Sequence, residues 1–360
     1  MTWTIMCGLG LSCQRQTLEL PDYIFAYIPI TIDWSESDVP ESSIANVSAY
    51  FYPTDGGEAI VTISSNKYFL LAQLPIGSYN AIIFNEIKGN IEGTTFYEGT
   101  RRSDFMVGSQ TISPASYVLY EAINPEYQID HPEAVGSWVS TNTVEITTET
   151  ISYTRSSTFA KYISSIQAST SDPEKLLELL AESQSSLSAM DVQAQVLADL
   201  ELIYPQPVTV TCNIQLKVIN LSNAQRIETV FRGMTNLVNL STREGYNLDK
   251  NDQPIYIFDF ATKNYYDATM VDGYVESTFL TFGKQPYDET DTYELYFTAV
   301  LASGEAVRVT RDVTSQVQAS DGSNIVIDLT SDEDMLILPE GVADGFGVED
   351  WGDFENVEIH

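Results

Sequence analysis

The chain has 360 residues, and its 17 basic residues against 51 acidic residues give a formal net charge of −34. This length allows two or three folded domains, and a hydrophobic content of 43% excludes a disordered chain. So acidic a surface repels phosphate backbones and anionic lipid headgroups, which argues against nucleic-acid partners and against electrostatic membrane binding.

Residues 1–12 are apolar, short and free of charged residues. The segment is too short to span a bilayer but fits the apolar core of a signal peptide. Leu11-Ser12-Cys13 is similar to the end of a lipoprotein signal, in which the cysteine becomes the acylated first residue. No lysine or arginine precedes the apolar run, and the alternative is a frayed terminus with a chance cysteine.

Three segments of the first domain, 13–153, are predicted to be strands: 27–34, 46–52 and 78–85. Apolar residues alternate with polar ones in the first of them, which places the apolar set on one face of a sheet. Turn residues separate the segments, as in Pro53-Thr54-Asp55-Gly56-Gly57. The pattern predicts an antiparallel sheet with one buried face.

Residues 154–207 are predicted to form a helical insertion and a linker. Asp172-Pro173-Glu174 is a helix start signal, and leucines at helical spacing follow it, so helix is expected largely within 171–203. The expected role is to cover apolar surface near the domain junction; a partner-binding helix is the alternative. The linker is 204–207.

The second domain, 208–360, opens with unbroken alternation from Val208 to Val218, which indicates a strand with Cys212 on its buried face. Further short strands are predicted at 254–260, 278–282, 293–301, 307–313 and 324–329, as in a β-sandwich. Near the end of the chain, Val357 and Ile359 share one face of a segment that is able to pair as a strand.

The search for reactive chemistry gives no catalytic residue, no cofactor-binding motif and no metal-ligand spacing. The two histidines, His131 and His360, have no credible nucleophile beside them in the pattern. Acidic loops at 288–291 and 332–334 lack the spacing of an EF-hand; each is either a calcium site or a group of plain solvated carboxylates. Arg101-Arg102 reads either as a trypsin-like processing point or as a solvated basic pair.

The order of three motifs, ITIDW, NVSAYFYPTDGG and LPIGSYNAIIFNE, resembles the fimbrillin-like surface lipoproteins of the Bacteroidetes, relatives of the type V pilins. The resemblance extends to Phe279–Gly283 and to Phe346–Trp351. It implies a mainly β protein of two antiparallel Greek-key, transthyretin-like sandwich domains, to which the sequence itself adds a short helical insertion near their junction. The helical stretch departs from the simplest form of that plan.

The resemblance further implies a non-enzymatic fimbrial subunit or adhesin-like lipoprotein at the outer membrane or cell surface, attached through Cys13. Its partners would be other fimbrial subunits, or further copies of itself by strand exchange, together with a host or bacterial surface ligand. Addition of a strand is physically sensible because an open sheet edge offers unpaired N–H and C=O groups. The alternative from another class is a carbohydrate-binding or carbohydrate-degrading surface protein.

Overall fold

The computed structural model describes residues 25–85, 94–109, 128–169, 202–246, 256–259, 263–265, 272–284, 292–301, 303–320, 322 and 324–339. In the first half of the chain the elements are β1 (Phe25–Ile32), β2 (Val47–Pro53), β3 (Ile60–Ser64), β4 (Phe69–Pro75), β5 (Gly77–Asn85), β6 (Thr94–Tyr97), β7 (Met106–Ser109), β8 (Gln128–Asp130), β9 (Gly136–Val139), β10 (Val144–Ile146), α1 (Thr148–Thr154) and α2 (Ser157–Ser169).

The second half contributes β11 (Leu202–Ile203), β12 (Gln206–Pro207), β13 (Val210–Ile219), β14 (Ala224–Arg232), β15 (Leu237–Asn239), β16 (Gly245–Tyr246), β17 (Tyr256–Asp259), β18 (Lys263–Tyr265), β19 (Asp272–Thr281), β20 (Glu294–Leu301), β21 (Ala306–Asp312), α3 (Thr314–Ala319), β22 (Asn324–Leu329) and β23 (Leu336–Ile337). The expectation of a mainly β, mainly antiparallel sandwich fold with few helices is confirmed.

The first sandwich packs sheet A, in the order β11-β1-β4, against sheet B, in the order β12-β9-β5-β2-β3. The predicted alternation in β1 holds: Ile28, Ile30 and Ile32 are at most 2% exposed and point into the core between the two sheets. Phe51 of β2 and Leu70 of β4 meet them there. Burial of these large apolar side chains is the main stabilising contribution to this half of the molecule.

The prediction that the sheet of the first domain has one buried face is wrong for sheet B. In β2, Ala49 and Phe51 enter the sandwich core, while Tyr50 and Tyr52 on the opposite face are 6% and 2% exposed. The β6–β7 segment of the first half and parts of the second half of the chain cover that opposite face, so the central strands are buried on both sides. Continuous apolar sequence such as Ala81-Ile82-Ile83-Phe84 of β5, each residue 0% exposed, is what two-sided burial requires.

The helices of the first sandwich begin earlier than the sequence predicted. A capping box formed by Thr147 and Thr150 starts α1, ahead of the expected insertion 154–207. The second helix, α2, ends at residue 169 and places Phe159 and Ile166 against Leu71 on the outer face of sheet A. Helix is therefore not confined largely to 171–203, of which 171–201 lie outside the described residues.

The second sandwich packs sheet D, in the order β21-β20-β14-β17-β8, against sheet E, in the order β18-β19-β13-β22. The predicted alternation in β13 is confirmed, with Cys212, Ile214 and Leu216 buried at 2% exposure or less. Cys212 is a buried thiol, as expected. The sequence analysis missed β14 entirely, although that strand lies at the centre of sheet D.

Strand pairing crosses from one half of the chain to the other. Sheet C, in the order β16-β15-β7-β6, joins two strands from each half. In addition β8, which precedes the first sandwich's β9, pairs in parallel with β17 of sheet D. The predicted domain limits, 13–153, 154–207 and 208–360, stay a prediction.

Candidate assembly interface

An aromatic cluster fills the space between sheet B and sheet C. Phe84 of β5 is 0% exposed, and its ring stacks on Phe96 with centroids 4.8 Å apart and on Tyr50 at 5.7 Å. Phe105, also 0% exposed, meets the edge of Tyr50 at 5.0 Å. Residues Val208, Val238, Leu240 and Phe282 of the second half close the cluster. We call this set, together with Tyr52, the interdomain cluster.

Both tyrosine hydroxyls of the interdomain cluster are held neutral. The hydroxyl of Tyr50 donates to Glu98 Oε1 at 2.9 Å, whereas the buried hydroxyl of Tyr52 has no hydrogen-bond partner among the described residues. Burial raises the pKa of each phenol well above the ordinary 10.0, and the nearby Glu98 carboxylate raises both further. The cluster therefore contributes an uncharged surface between the two halves of an acidic molecule.

Polar contacts hold the 3₁₀ turn at 102–104 against the second half of the chain. Asn239 donates to Ser103 O at 2.5 Å and accepts from the backbone N–H of Ser241 at 2.8 Å. The Arg102 guanidinium donates to Ser140 O, and Arg102 O accepts from the Ser241 hydroxyl at 2.7 Å. Burial lowers the pKa of Arg102. Arg102 is thus a structural contact, and cleavage beside it would first require this turn to open.

The predicted linker 204–207 is fixed to the first sandwich. Its last two residues form β12, in which Gln206 is in register with Ser137 and Pro207 with Gly136. Arg243, from the second half, donates to Pro207 O at 3.3 Å and to Ser137 O at 2.8 Å. Burial lowers the pKa of Arg243 to about 10, so this guanidinium remains charged at neutral pH and clamps the linker through carbonyl oxygens.

Three unpaired strand sides carry a protective feature, and the first is the part of β1 that the two-residue strand β11 does not reach. Pro29 of β1 lacks an N–H, and the N–H of Tyr27 on the same edge donates to the Thr154 side chain at 3.2 Å. On β22 the Gln316 side chain pairs with both backbone groups of Asp328, at 2.7 and 3.2 Å. The third edge strand, β21, carries Arg308, Arg311 and Asp312. Proline, side-chain capping and charge are the usual ways in which proteins block unwanted strand pairing.

The edge strand β3 has none of these features. Its sequence, Ile60-Val61-Thr62-Ile63-Ser64, contains no charge and no proline, and four of its five residues are β-branched. It pairs with β2 on one side, and within the described residues no strand pairs with its other side. Val61 and Ile63 are 45% and 49% exposed. The sequence analysis missed this edge, although an uncharged β-branched run between turn residues was a readable signal.

The site residues predicted from the sequence, Cys13, Val357 and Ile359, lie outside the described residues. The described chain ends beside the second sandwich, where β23 pairs in parallel with the end of β13. Asn220 and Asn223 donate to the backbone oxygens of Leu338 and Pro339, at 2.9 and 2.6 Å. These contacts hold the end of the described chain against the second sandwich.

The acidic loop 332–334 does not bring its carboxylates together. Asp332 forms an ion pair with Lys217 at 3.1 Å, and Asp334 accepts a hydrogen bond from Ser331. In the described part of the chain, no three histidine, cysteine, aspartate or glutamate side chains are grouped so that they could hold a metal ion. The other acidic loop considered, 288–291, lies in a stretch that the structure does not describe. No described helix is long and apolar enough to cross a membrane.

Solved structures align with this chain over most of its length. A candidate adhesin from Bacteroides ovatus aligns with a TM-score of 0.56 and 14% identity, over 93% of this chain and 99% of that protein. The fimbrial anchor protein Mfa2 from Porphyromonas gingivalis aligns with a TM-score of 0.42 and 11% identity, over 85% of this chain and 90% of Mfa2. No protein-family model matches the sequence, and no curated protein sequence matches it either.

The likeness to the Bacteroides ovatus protein shows the fold of this chain along nearly its whole length. The β-sandwich architecture expected from the fimbrillin-like resemblance is therefore confirmed as a fold. Because folds host many functions, the role of the protein has to be argued from its own surfaces.

Proposed function

We propose that this chain is a fimbrial subunit or adhesin-like surface lipoprotein of the fimbrillin-like type, without enzymatic activity. The observation that carries the proposal is the fold shared with a candidate adhesin over 93% of the chain. The acidic surface, with a net charge of −34, fits a soluble ectodomain that resists non-specific association. The interdomain cluster packs the two halves of the chain against each other, and such a rigid connection suits a component that transmits mechanical load.

The location is tested on cells that carry the gene and on cells that lack it. We expect antibodies against the folded chain to label intact cells of the first kind and not of the second. Negative-stain microscopy of the same pair distinguishes a fibre component from a dispersed surface protein. Labelling that appears only after the outer membrane is opened would contradict the surface assignment.

Attachment to the membrane through an acylated Cys13 is part of the proposal, and residues 1–12 would then be removed. It rests on the apolar run that ends at this cysteine. Metabolic labelling with palmitate should mark the wild-type chain and leave Cys13→Ser unlabelled. Cys7→Ser, in the same apolar segment, is the matched control and should keep the label. Equal labelling of the wild type and Cys13→Ser would refute the anchor.

Assembly by strand addition is the finer part of the proposal, with the segment 345–359 as the donated strand. Val357 and Ile359 would fill apolar positions and set the register, while Glu358 between them keeps the unpaired segment soluble. The alternative is that this segment only stabilises the second sandwich. Deletion of 345–360 separates the two: a chain that melts normally but no longer enters fibres supports strand donation. Normal fibres, or an unfolded chain, would rule it out.

A further inference from the structure

The free edge of β3 presents the backbone groups of two residues, Val61 and Ile63. The N–H of Thr54 donates to β5 at 2.9 Å, so even-numbered residues of β2 direct their backbone groups toward β5. Odd-numbered residues of β2 therefore face β3, where Ala49 is in register with Thr62. Since hydrogen-bonded and non-bonded pairs alternate along an antiparallel ladder, Val61 and Ile63 point their N–H and C=O groups away from β2.

The same two residues expose apolar side chains, at 45% and 49%. Val61 lies opposite Tyr50 of β2, on the face of sheet B that the interdomain cluster covers. The exposed side chains of Val61 and Ile63 thus extend the apolar face that the interdomain cluster buries. Backbone groups and side chains together make β3 an edge suited to an uncharged extended strand.

We propose that two copies of this chain associate by antiparallel pairing of their β3 strands about a two-fold axis at Thr62. In that register Val61 of each copy faces Ile63 of the other, and both pairs exchange their N–H and C=O groups. Each apolar side chain then lies beside its partner on one face of a continuous sheet. A two-fold contact requires such self-complementarity, in which a residue i contacts j and j contacts i.

A second copy is favoured as the occupant because this register satisfies every outward group of the described β3 at once. A shift of the axis to Val61 or to Ile63 would place one of the two residues beyond the end of the partner strand. β3 is also uncharged, so its pairing with a second copy sets no like charges opposite each other within the strand. The inference does not depend on donation of the segment 345–359.

The first test is the sedimentation of the full chain, expressed without acylation, together with two charged variants. We expect reversible dimers at about 0.1 mM that Val61→Lys and Ile63→Lys weaken at least about tenfold. Both side chains are half-exposed, so the variants should melt like the wild type. Val326→Lys is the matched control, because Val326 is 53% exposed on the edge strand β22. A wild-type chain that stays monomeric, or equal weakening by Val326→Lys, would overturn the proposal.

The register is tested by disulfide formation in a chain that carries Cys7→Ser and Cys13→Ser. Thr62 of the two copies would form a non-hydrogen-bonded pair with Cα atoms about 4.5 Å apart, within the range for a disulfide. Thr62→Cys should therefore give a covalent dimer on mild oxidation, several times faster than Ser64→Cys. Equal rates at the two positions would show that the axis does not lie at Thr62.

A salt titration and a truncation of the C-terminal segment distinguish self-pairing of β3 from the binding of another partner to that edge. Because both copies carry a charge of −34, screening should strengthen the dimer as salt rises from about 0.05 to about 0.5 M. Weakening by salt would mean that oppositely charged surfaces meet instead. The chain truncated at residue 344 should dimerise like the full chain; loss of the dimer there would identify the tail as the occupant of β3 and overturn self-pairing.

Discussion

Sheet B and sheet E each form one layer of a sandwich, with one face in the sandwich core. They differ in what covers the other face. In sheet B the outer face of β2 and β5 carries Tyr50, Tyr52 and Phe84 and is buried by the interdomain cluster. In sheet E the outer face of β13 carries Asn213 and Gln215, which hydrogen-bond to neighbours across the sheet in contact with water. The outer face of sheet B is therefore a buried interface within the molecule, whereas the outer face of sheet E is a solvated surface.

The largest expected effect comes from truncation at the centre of the interdomain cluster. Phe84→Ala should lower the free energy of unfolding by about 3–5 kcal/mol, because it removes a ring that is 0% exposed and stacked on two others. Urea denaturation measures the loss, and amide hydrogen exchange should show that both halves open more easily. Gln215→Ala on sheet E is the control, with a change within about 0.5 kcal/mol. Similar losses at the two positions would contradict the comparison.

The second largest loss of stability is expected from Asn239, a polar residue at the same interface. Asn239→Ala leaves the Ser103 carbonyl and the Ser241 N–H without their partner at a position that is 4% exposed, so we expect a loss of about 1–3 kcal/mol. Asn213→Ala, which removes hydrogen bonds on the wet face of sheet E, should cost less than about 1 kcal/mol in the same urea titration. The reverse order would mean that the turn at 102–104 does not depend on Asn239.

Removal of the unpaired hydroxyl should stabilise the protein. Tyr52→Phe keeps the buried ring and deletes an oxygen without a partner in the described structure, so a gain of up to about 1 kcal/mol is expected. Tyr274→Phe is the control, since Tyr274 is 44% exposed and should respond by less than about 0.5 kcal/mol. A loss of stability in Tyr52→Phe would show that its hydroxyl is bonded after all.

The last and smallest expected effect is on the pH dependence of stability: the two buried phenols should lower the free energy of unfolding only above about pH 10. The pKa values of Tyr50 and Tyr52 are raised above 10.0 in the folded protein, so the stabilising contribution of the neutral phenols is intact below pH 10 and is lost as pH rises further. The double variant Tyr50→Phe/Tyr52→Phe should lose less stability than the wild type over that window. Arg243 acts in the opposite direction in both proteins, so the difference between their urea midpoints isolates the phenols.

The turn residues before β5 located that strand, and period-two alternation was enough to locate β1, β2 and β13 and to identify Cys212 as a buried residue. Each of these strands places its core-facing residues two positions apart, and this spacing is a property of the extended backbone alone. The sequence failed at β14, where Thr229 lies between Ile227 and Phe231 on the core face and is 1% exposed. A polar residue inside a short apolar alternation removes the signal, and a register irregularity between Ala224 and Arg226 weakens it further.

The sequence by itself determined the β class, the inward face of most strands and the acidic surface, because these follow from backbone periodicity and side-chain charge. Only the tertiary structure decided that the outer face of sheet B is an interface, that the end of the predicted linker forms the strand β12 held by Arg243, and that β3 is an uncapped edge. These properties depend on which distant segments meet: Phe84 needs Phe105 and Phe282, and Pro207 needs Arg243. Local patterns carry no record of such partners, since the same apolar residue packs equally well against any complementary surface.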